Sequence, residues 1–430
     1  MAEILFRIGE GNKQFKAISK ALSISVLNQF VSSGTNFVLG IYLVRVLTPV
    51  EFGFYGIGFA ISLVYAGIGN SLFLTQMVVN IPDKPQADRL AYAASMGKGV
   101  LIFCGVTFLL ILFVLPGLGA AWTWLGQYAG YGLAVTGASV AYLLKDFFVR
   151  HAYTVRKEIW ALVVNVAVAA TLAVLLFLQH FQTINFTATW ALWIYTASHL
   201  TAVSVGQILA RLPILAVQCE QMIIDYREAW AEGRWALVTT LMYSLRTQAY
   251  IFVTAWGLGP VGVAYLNASR LLVTPATMLT PALSQVFLPR LAELRIDDRR
   301  RMVYVGMLYA VLLLTIALGY SGILFIFLDR IVLIVLGGKY HSMFGVVLGW
   351  CIFVCLLAVS TGGSLILQVL KKFRILMVIN TISAFIAIIL VVTFIKWIGL
   401  FGAIYSLVIA EFLLSCILWS IIKKDINFFR

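Results

Sequence analysis

Arg246 and Arg270 each interrupt an apolar run long enough to cross a bilayer, and the two runs meet at Gly257-Leu258-Gly259-Pro260. A crossing takes roughly 20 residues. Arg246 precedes the turn by about 12 residues and Arg270 follows it by about 10, so at about 1.5 Å per residue both stems start near the bilayer middle. A guanidinium at that depth costs about 3 kcal/mol on insertion scales, so such residues face a polar interior and mark a solute path. Thr239, Tyr243, Arg246 and Tyr250 fall on one helical face, and Asn267, Arg270, Thr274, Thr277 and Ser284 on another. These residues are the candidate binding surface, with Arg246, Arg270, Tyr243, Tyr250 and Asn267 at its centre. Pro275 and Pro281 break the hydrogen-bond ladder of the second run and are candidate hinges.

The pair of cations suits an anion. At about 8 Å and an effective dielectric near 20, two guanidinium groups repel by about 2 kcal/mol, which an entering anion relieves. Arginine presents a planar fork of donors and stays charged, so it holds phosphate through paired bonds. Glu411 is the only acidic residue deep in a span. It is either a counter-ion to an arginine or a carboxyl that binds a proton during coupling.

The first half of the chain offers neutral groups instead. Ser25, Asn28, Ser32 and Thr35 share a face of the first span, and Tyr65, Gly69 and Gln76 lie on the second. No charge is expected deep in this half. Asn28, Ser32 and Gln76 join the candidate cavity as hydrogen-bonding groups.

These residues need a membrane scaffold to position them. The chain has 430 residues, 62% hydrophobic and 11% charged, with a mean hydropathy of +0.99. Soluble domains carry about 25% charged residues, so this is an integral, multi-pass membrane protein. The formal charge of +14 sits between apolar runs and not in one patch, which excludes a nucleic-acid partner. Cys104, Cys219, Cys351, Cys355 and Cys416 have no histidine or carboxylate at ligand spacing, and His151, His180, His199 and His341 are scattered. No metal, cofactor or catalytic constellation is expected. Gly97-Lys98 lacks the upstream glycine of a phosphate loop. Gly126 and Gly130 form a GxxxG expected to allow close helix packing, and the sequon at Asn185 is a chance match.

Twelve spans are expected, at about 22–44, 53–77, 93–115, 121–143, 159–179, 188–210, 235–257, 262–288, 303–327, 343–368, 374–396 and 398–422. With both termini cytoplasmic, inner segments hold 25 lysines and arginines and outer segments only four: Arg45, Arg330, Lys339 and Lys396. That bias sets the orientation. The fold expected is all-α: two six-helix lobes, 1–210 and 235–430, joined by a mixed-charge cytoplasmic connector, 211–234. Leu47-Thr-Pro-Val50 recurs as Leu258-Gly-Pro-Val261, at a spacing of about 210 residues. Six spans apart, the two copies run in the same direction, which makes a parallel repeat with a pseudo-two-fold axis along the membrane normal.

The stretch LVRVLTPVEFGFYGIGFAI resembles the first hairpin of bacterial polysaccharide transporters. LGPVGVAYLNASRLLVTPATMLTPALSQVFLPRL resembles their seventh and eighth spans. These are the Wzx-type O-antigen and exopolysaccharide flippases of the multidrug/oligosaccharidyl-lipid/polysaccharide (MOP) exporter superfamily. The resemblance implies a non-enzymatic transporter in a bacterial inner membrane. Its implied substrate is an undecaprenyl-pyrophosphate-linked oligosaccharide, flipped by alternating access for O-antigen, capsule or exopolysaccharide synthesis. Implied partners are membrane lipids and the polymerase and chain-length proteins of such a pathway. The arginines would meet the pyrophosphate, and the amides, hydroxyls and rings the sugars. A drug or cation exporter of the same superfamily is the alternative, although its cavity should be lined by carboxylates. A membrane polymerase is the third reading and predicts a large outer loop, which is absent.

Overall fold

The computed structural model describes residues 2–121, 128–181, 185–340 and 343–428. Gly126, His341 and Arg430 lie outside these ranges. The chain forms α1 (Ala2–Val46), α2 (Pro49–Gly69), α3 (Thr75–Asn80), α4 (Arg89–Ala121), α5 (Ala129–Thr154), α6 (Glu158–His180) and α7 (Ala188–Ala210). It continues with α8 (Cys219–Asp297), α9 (Arg299–Ile326), α10 (Leu328–Leu336), α11 (Phe344–Val369), α12 (Phe373–Ile398) and α13 (Leu400–Phe428). A π turn, Asn70–Leu74, carries α2 into α3.

Among the described residues, nine helical stretches are long and apolar enough to cross a membrane. One of them, Thr240–Pro281, contains Gly259, whose φ of 69° and ψ of −174° break α8 into two arms. Glycine meets no Cβ penalty at that positive φ, and Pro260 then starts the second arm with its φ already helical. Thr48 and Pro49 begin α2 in the matching way. Thr48 is extended, and its Oγ1 accepts from the Glu51 amide at 3.3 Å. Counting α8 as two arms and adding α1 and α7 yields the twelve expected spans, all α-helical and grouped as two lobes.

Two expectations change here. The fourth span is Ala129–Thr154, not 121–143. The expected spans leave Lys145 in an inner loop, and no charge is expected deep in this half. Instead Lys145 is 5% exposed within α5. Its ammonium donates to Asn165 Oδ1 at 3.5 Å and lies 4.8 Å from the Tyr142 ring centroid. Hydropathy ends the span at the Lys145-Asp146 pair, whereas packing encloses the lysine's long stem. The second change concerns α8. Its dihedrals stay helical through Pro275 and Pro281, and its break is at Gly259.

In the first lobe α5 packs against α2, α4, α6 and α7. In the second, α11 packs against α8, α9 and α13, and α12 against α8 and α13. The hydrophobic cores show how the lobes meet. One core joins both lobes and runs from Leu39, Leu43 and Phe52 to Val263, Leu272 and Trp350. Its residues come from the predicted outer ends of the spans. Toward the inner ends the core divides. Phe73, Met77, Leu143 and Phe147 belong to one cluster, and Leu291, Tyr309, Ile366 and Leu418 to another. The buried apolar core is therefore continuous across the lobes at the outer end and divided between them at the inner end. A methyl added at Gly53 of α2 would lie 1.9 Å from the Pro260 carbonyl oxygen of α8, so the two copies of the internal repeat touch backbone to backbone. Lys339 Nζ donates to the carbonyls of Arg45 and Leu47 at the end of α1, the latter at 3.0 Å. Large apolar side chains on the flanks stay exposed, as a lipid-facing surface requires, and Trp397 is 85% exposed. Trp397 adjoins Lys396, whose ammonium lies 5.6 Å from the Trp256 ring, a pairing suited to the membrane–water boundary.

Candidate functional site

A cavity of 1060 Å³ opens within the second lobe, between the two arms of α8 and helices α11, α12 and α13. That exceeds the 300–1,000 Å³ or so of pockets for drug-sized ligands. Arg246, Arg270, Tyr243 and Tyr250 line it, as the shared helical faces predict. So do Thr274, Thr277, Ser284 and Glu411.

The two deep arginines differ in state. Arg246 Nη2 lies 2.6 Å from Glu411 Oε2, and its Nη1 donates to Asn380 Oδ1. Asn380 Nδ2 donates to the Leu376 carbonyl one turn back, at 2.7 Å, which points Oδ1 at the guanidinium. Ser360 donates its hydroxyl to the other Glu411 oxygen. Glu411 is 3% exposed, so this is a nearly dry ion pair held by α8, α11, α12 and α13 together. Of the two roles read for Glu411, the geometry supplies the counter-ion. It also removes the expected empty clamp of two repelling cations, because a carboxylate already neutralises one of them.

Arg270 is exposed to the cavity, and among the described residues it is in no ion pair. Its Nη1 donates to the Tyr250 hydroxyl at 3.0 Å. The Tyr250 ring meets Trp350 edge-on at 5.9 Å, and Trp350 meets Phe353 at 5.5 Å. Trp350 Nε1 is anchored on Ser269 Oγ at 3.0 Å. An aromatic wall therefore backs the exposed cation. Toward the inner end the lining turns to Ser360, Thr361, Ser364, Gln368 and Arg374. Among the described residues, the cavity's ionisable groups, tyrosines aside, are thus three arginines and one carboxylate, a positive balance.

The remaining candidates lie elsewhere. Asn267 is outside the cavity lining and faces α2, where its amide nitrogen would meet a methyl on Gly56 at 2.1 Å. Asn28 is buried in the first lobe, donating to Tyr153 and accepting from Asn165, both at 2.8 Å. Ser32 is half-buried on α1, and Gln76 is buried with its Oε1 unbonded. None of the four lines this cavity. Pro275 and Pro281 lie on the second arm of α8 between the arginine and the inner end. Sequence reasoning missed Asn380, Ser360, Trp350 and Arg374. Asn380 carries a readable signal, a lone amide in the apolar run from Ile375 to Val392. Arg374 reads from the sequence only as one of the inner-segment charges. Among the described residues no group of three or more His, Cys, Asp or Glu is placed to hold a metal.

Solved structures share this architecture. A multidrug resistance MATE family transporter of the MOP superfamily, inward-facing, superposes with a TM-score of 0.73 over 92% of this chain and 94% of its own, at 12% identity. The chain has the MOP transporter fold. Lipid II flippase MurJ in an inward closed conformation matches equally well, with a TM-score of 0.73 over 93% of this chain and 87% of its own, at 15% identity. An outward-facing MATE transporter of the superfamily fits less closely, at 0.63 over 95% of this chain and 96% of its own, with 13% identity. The better fit to inward states agrees with the shared outer core and the divided inner one. No family model and no curated protein matches the chain. In this chain the cavity lies between helices of one lobe, and its side chains set its charge.

Proposed function

We propose that this protein carries an anionic, sugar-bearing lipid across the membrane: an undecaprenyl-pyrophosphate-linked oligosaccharide, flipped from the inner to the outer face by alternating access. The observation that carries this reading is Arg270, an exposed cation in a large cavity whose one carboxylate among the described residues is already paired. A guanidinium fork suits phosphate oxygens, and the hydroxyls and rings around it suit a sugar. Division of the apolar core at the inner end supports loading from that side. Release then requires the outer core to open and the inner clusters to meet, with the lobes rocking about the site. Such a protein would work beside the enzymes that polymerise the exported repeats.

A drug or cation exporter is the second reading. The multidrug transporters among the matched structures favour it, and the MOP fold serves both kinds of cargo. The lining argues the other way, since a lipophilic cation meets three arginines there. Reconstituted vesicles separate the two. A fluorescent short-prenyl pyrophosphoryl disaccharide should be flipped by the wild type and not by Arg270→Ala. Movement of a lipophilic cationic dye, with none of the pyrophosphoryl probe, establishes the second reading instead.

A further inference from the structure

We infer that Glu411 is a built-in competitor for Arg246, which a ligand carrying two phosphoryl charges displaces and a singly charged one does not. The inference rests on the anionic-cargo reading and adds to it which anions engage both arginines.

At rest the two cations are unequally available. Arg270 presents its guanidinium to the cavity with a neutral tyrosine hydroxyl as its described partner. Arg246 has both terminal nitrogens engaged, one by Asn380 and the other by Glu411 at 2.6 Å. A phosphodiester carries one charge and is served by Arg270 alone, with the ion pair undisturbed. A pyrophosphate diester carries a second charge on the adjoining phosphorus. To be held at both ends it must take Arg246 from Glu411.

The exchange has a cost set by burial. Once displaced, Glu411 remains in a 3% exposed position with the Ser360 hydroxyl as its remaining partner. Removing one partner from a buried carboxylate is strongly unfavourable, so weakly charged ligands do not drive the exchange. A second phosphoryl group drives it because it replaces the lost charge–charge contact with one of the same kind. Ser360 lowers the cost by continuing to donate to the displaced carboxylate. Asn380 keeps the guanidinium in place during the exchange, since its own amide is tied to the Leu376 carbonyl. The same residues that silence Arg246 in the empty cavity therefore set the charge a ligand needs before it engages the second arginine.

The experiment is equilibrium binding to purified protein in nonionic detergent at fixed pH and salt. The probes are a dansyl-labelled short-prenyl pyrophosphoryl disaccharide and its monophosphoryl counterpart. Glu411→Gln keeps the side chain's shape and removes its charge. It should tighten the pyrophosphoryl probe by about tenfold, since Arg246 no longer has to be taken from a carboxylate, and tighten the monophosphoryl probe by less, which widens the preference. Ser360→Ala should act in the opposite sense, weakening the pyrophosphoryl probe by about tenfold and leaving the monophosphoryl probe unchanged, because the displaced carboxylate then has no donor. This second variant also covers the case in which Glu411→Gln does not fold. An unchanged preference in both variants, or equal weakening of both probes by Glu411→Gln, overturns the inference and leaves Glu411 a purely structural counter-ion. Arg270→Ala is the separate arm. It should lose both probes, and if it retains both, the anionic-cargo reading itself falls.

Discussion

Replacing each deep arginine by alanine should separate their roles, because only one is half of a buried pair. Arg246→Ala leaves Glu411, 3% exposed, with Ser360 as its remaining hydrogen-bond partner. Breaking a buried pair from one side costs about 3–5 kcal/mol, since the stranded charge cannot be rehydrated. That corresponds to a hundredfold or more, roughly, in the folded fraction. Arg270→Ala removes a cavity-exposed side chain whose described partner is a neutral hydroxyl, a change of about 1 kcal/mol or less. Both variants should lose transport, but only Arg246→Ala should lose stability. Adding Glu411→Gln to Arg246→Ala removes the stranded charge and should restore stability without restoring transport. The assay is the monodisperse fraction of detergent-purified protein after heating, followed by size-exclusion chromatography. Equal heat resistance of the two alanine variants would refute the buried-pair argument. So would failure of the double variant to recover.

Other expectations follow from the closed outer end and from the charge bias. Gly53→Val should disrupt the outer closure, since even a methyl would lie 1.9 Å from the Pro260 carbonyl oxygen. Distances between spin labels on the outer ends of α2 and α11 should lengthen, and unchanged distances would show that the backbone contact does not hold the lobes. Single cysteines near Arg299 and Lys371 should react with impermeant reagents only from the cytoplasmic side, and one near Lys339 only from outside. Reaction of all three from one side would sink the twelve-span arrangement.

Much of this protein is legible in its sequence, and the reasons are local. Transfer of apolar side chains into lipid decides which stretches span, and the alternation of lysine and arginine between them decides their direction. Gly259-Pro260 ends one helix and starts the next by backbone stereochemistry alone, and Thr48-Pro49 does the same for α2. The depth of Arg246 and Arg270, and the helical faces they share with Tyr243 and Tyr250, follow from residue counts. Other features depend on which faces meet. Glu411 reaches Arg246 across 165 residues of sequence, and neither residue's neighbours announce the pairing. Lys145 reads as a loop charge from hydropathy, yet packing against Asn165 and Tyr142 buries it. Asn28 resembles a cavity amide by its polarity, yet it accepts from Asn165 inside the first lobe. Local energies depend on a residue and its near neighbours, so composition and spacing determine them. The partner of a buried charge depends on how helices distant in sequence pack, so here only the tertiary structure decided which arginine was silenced and which was left facing the cavity.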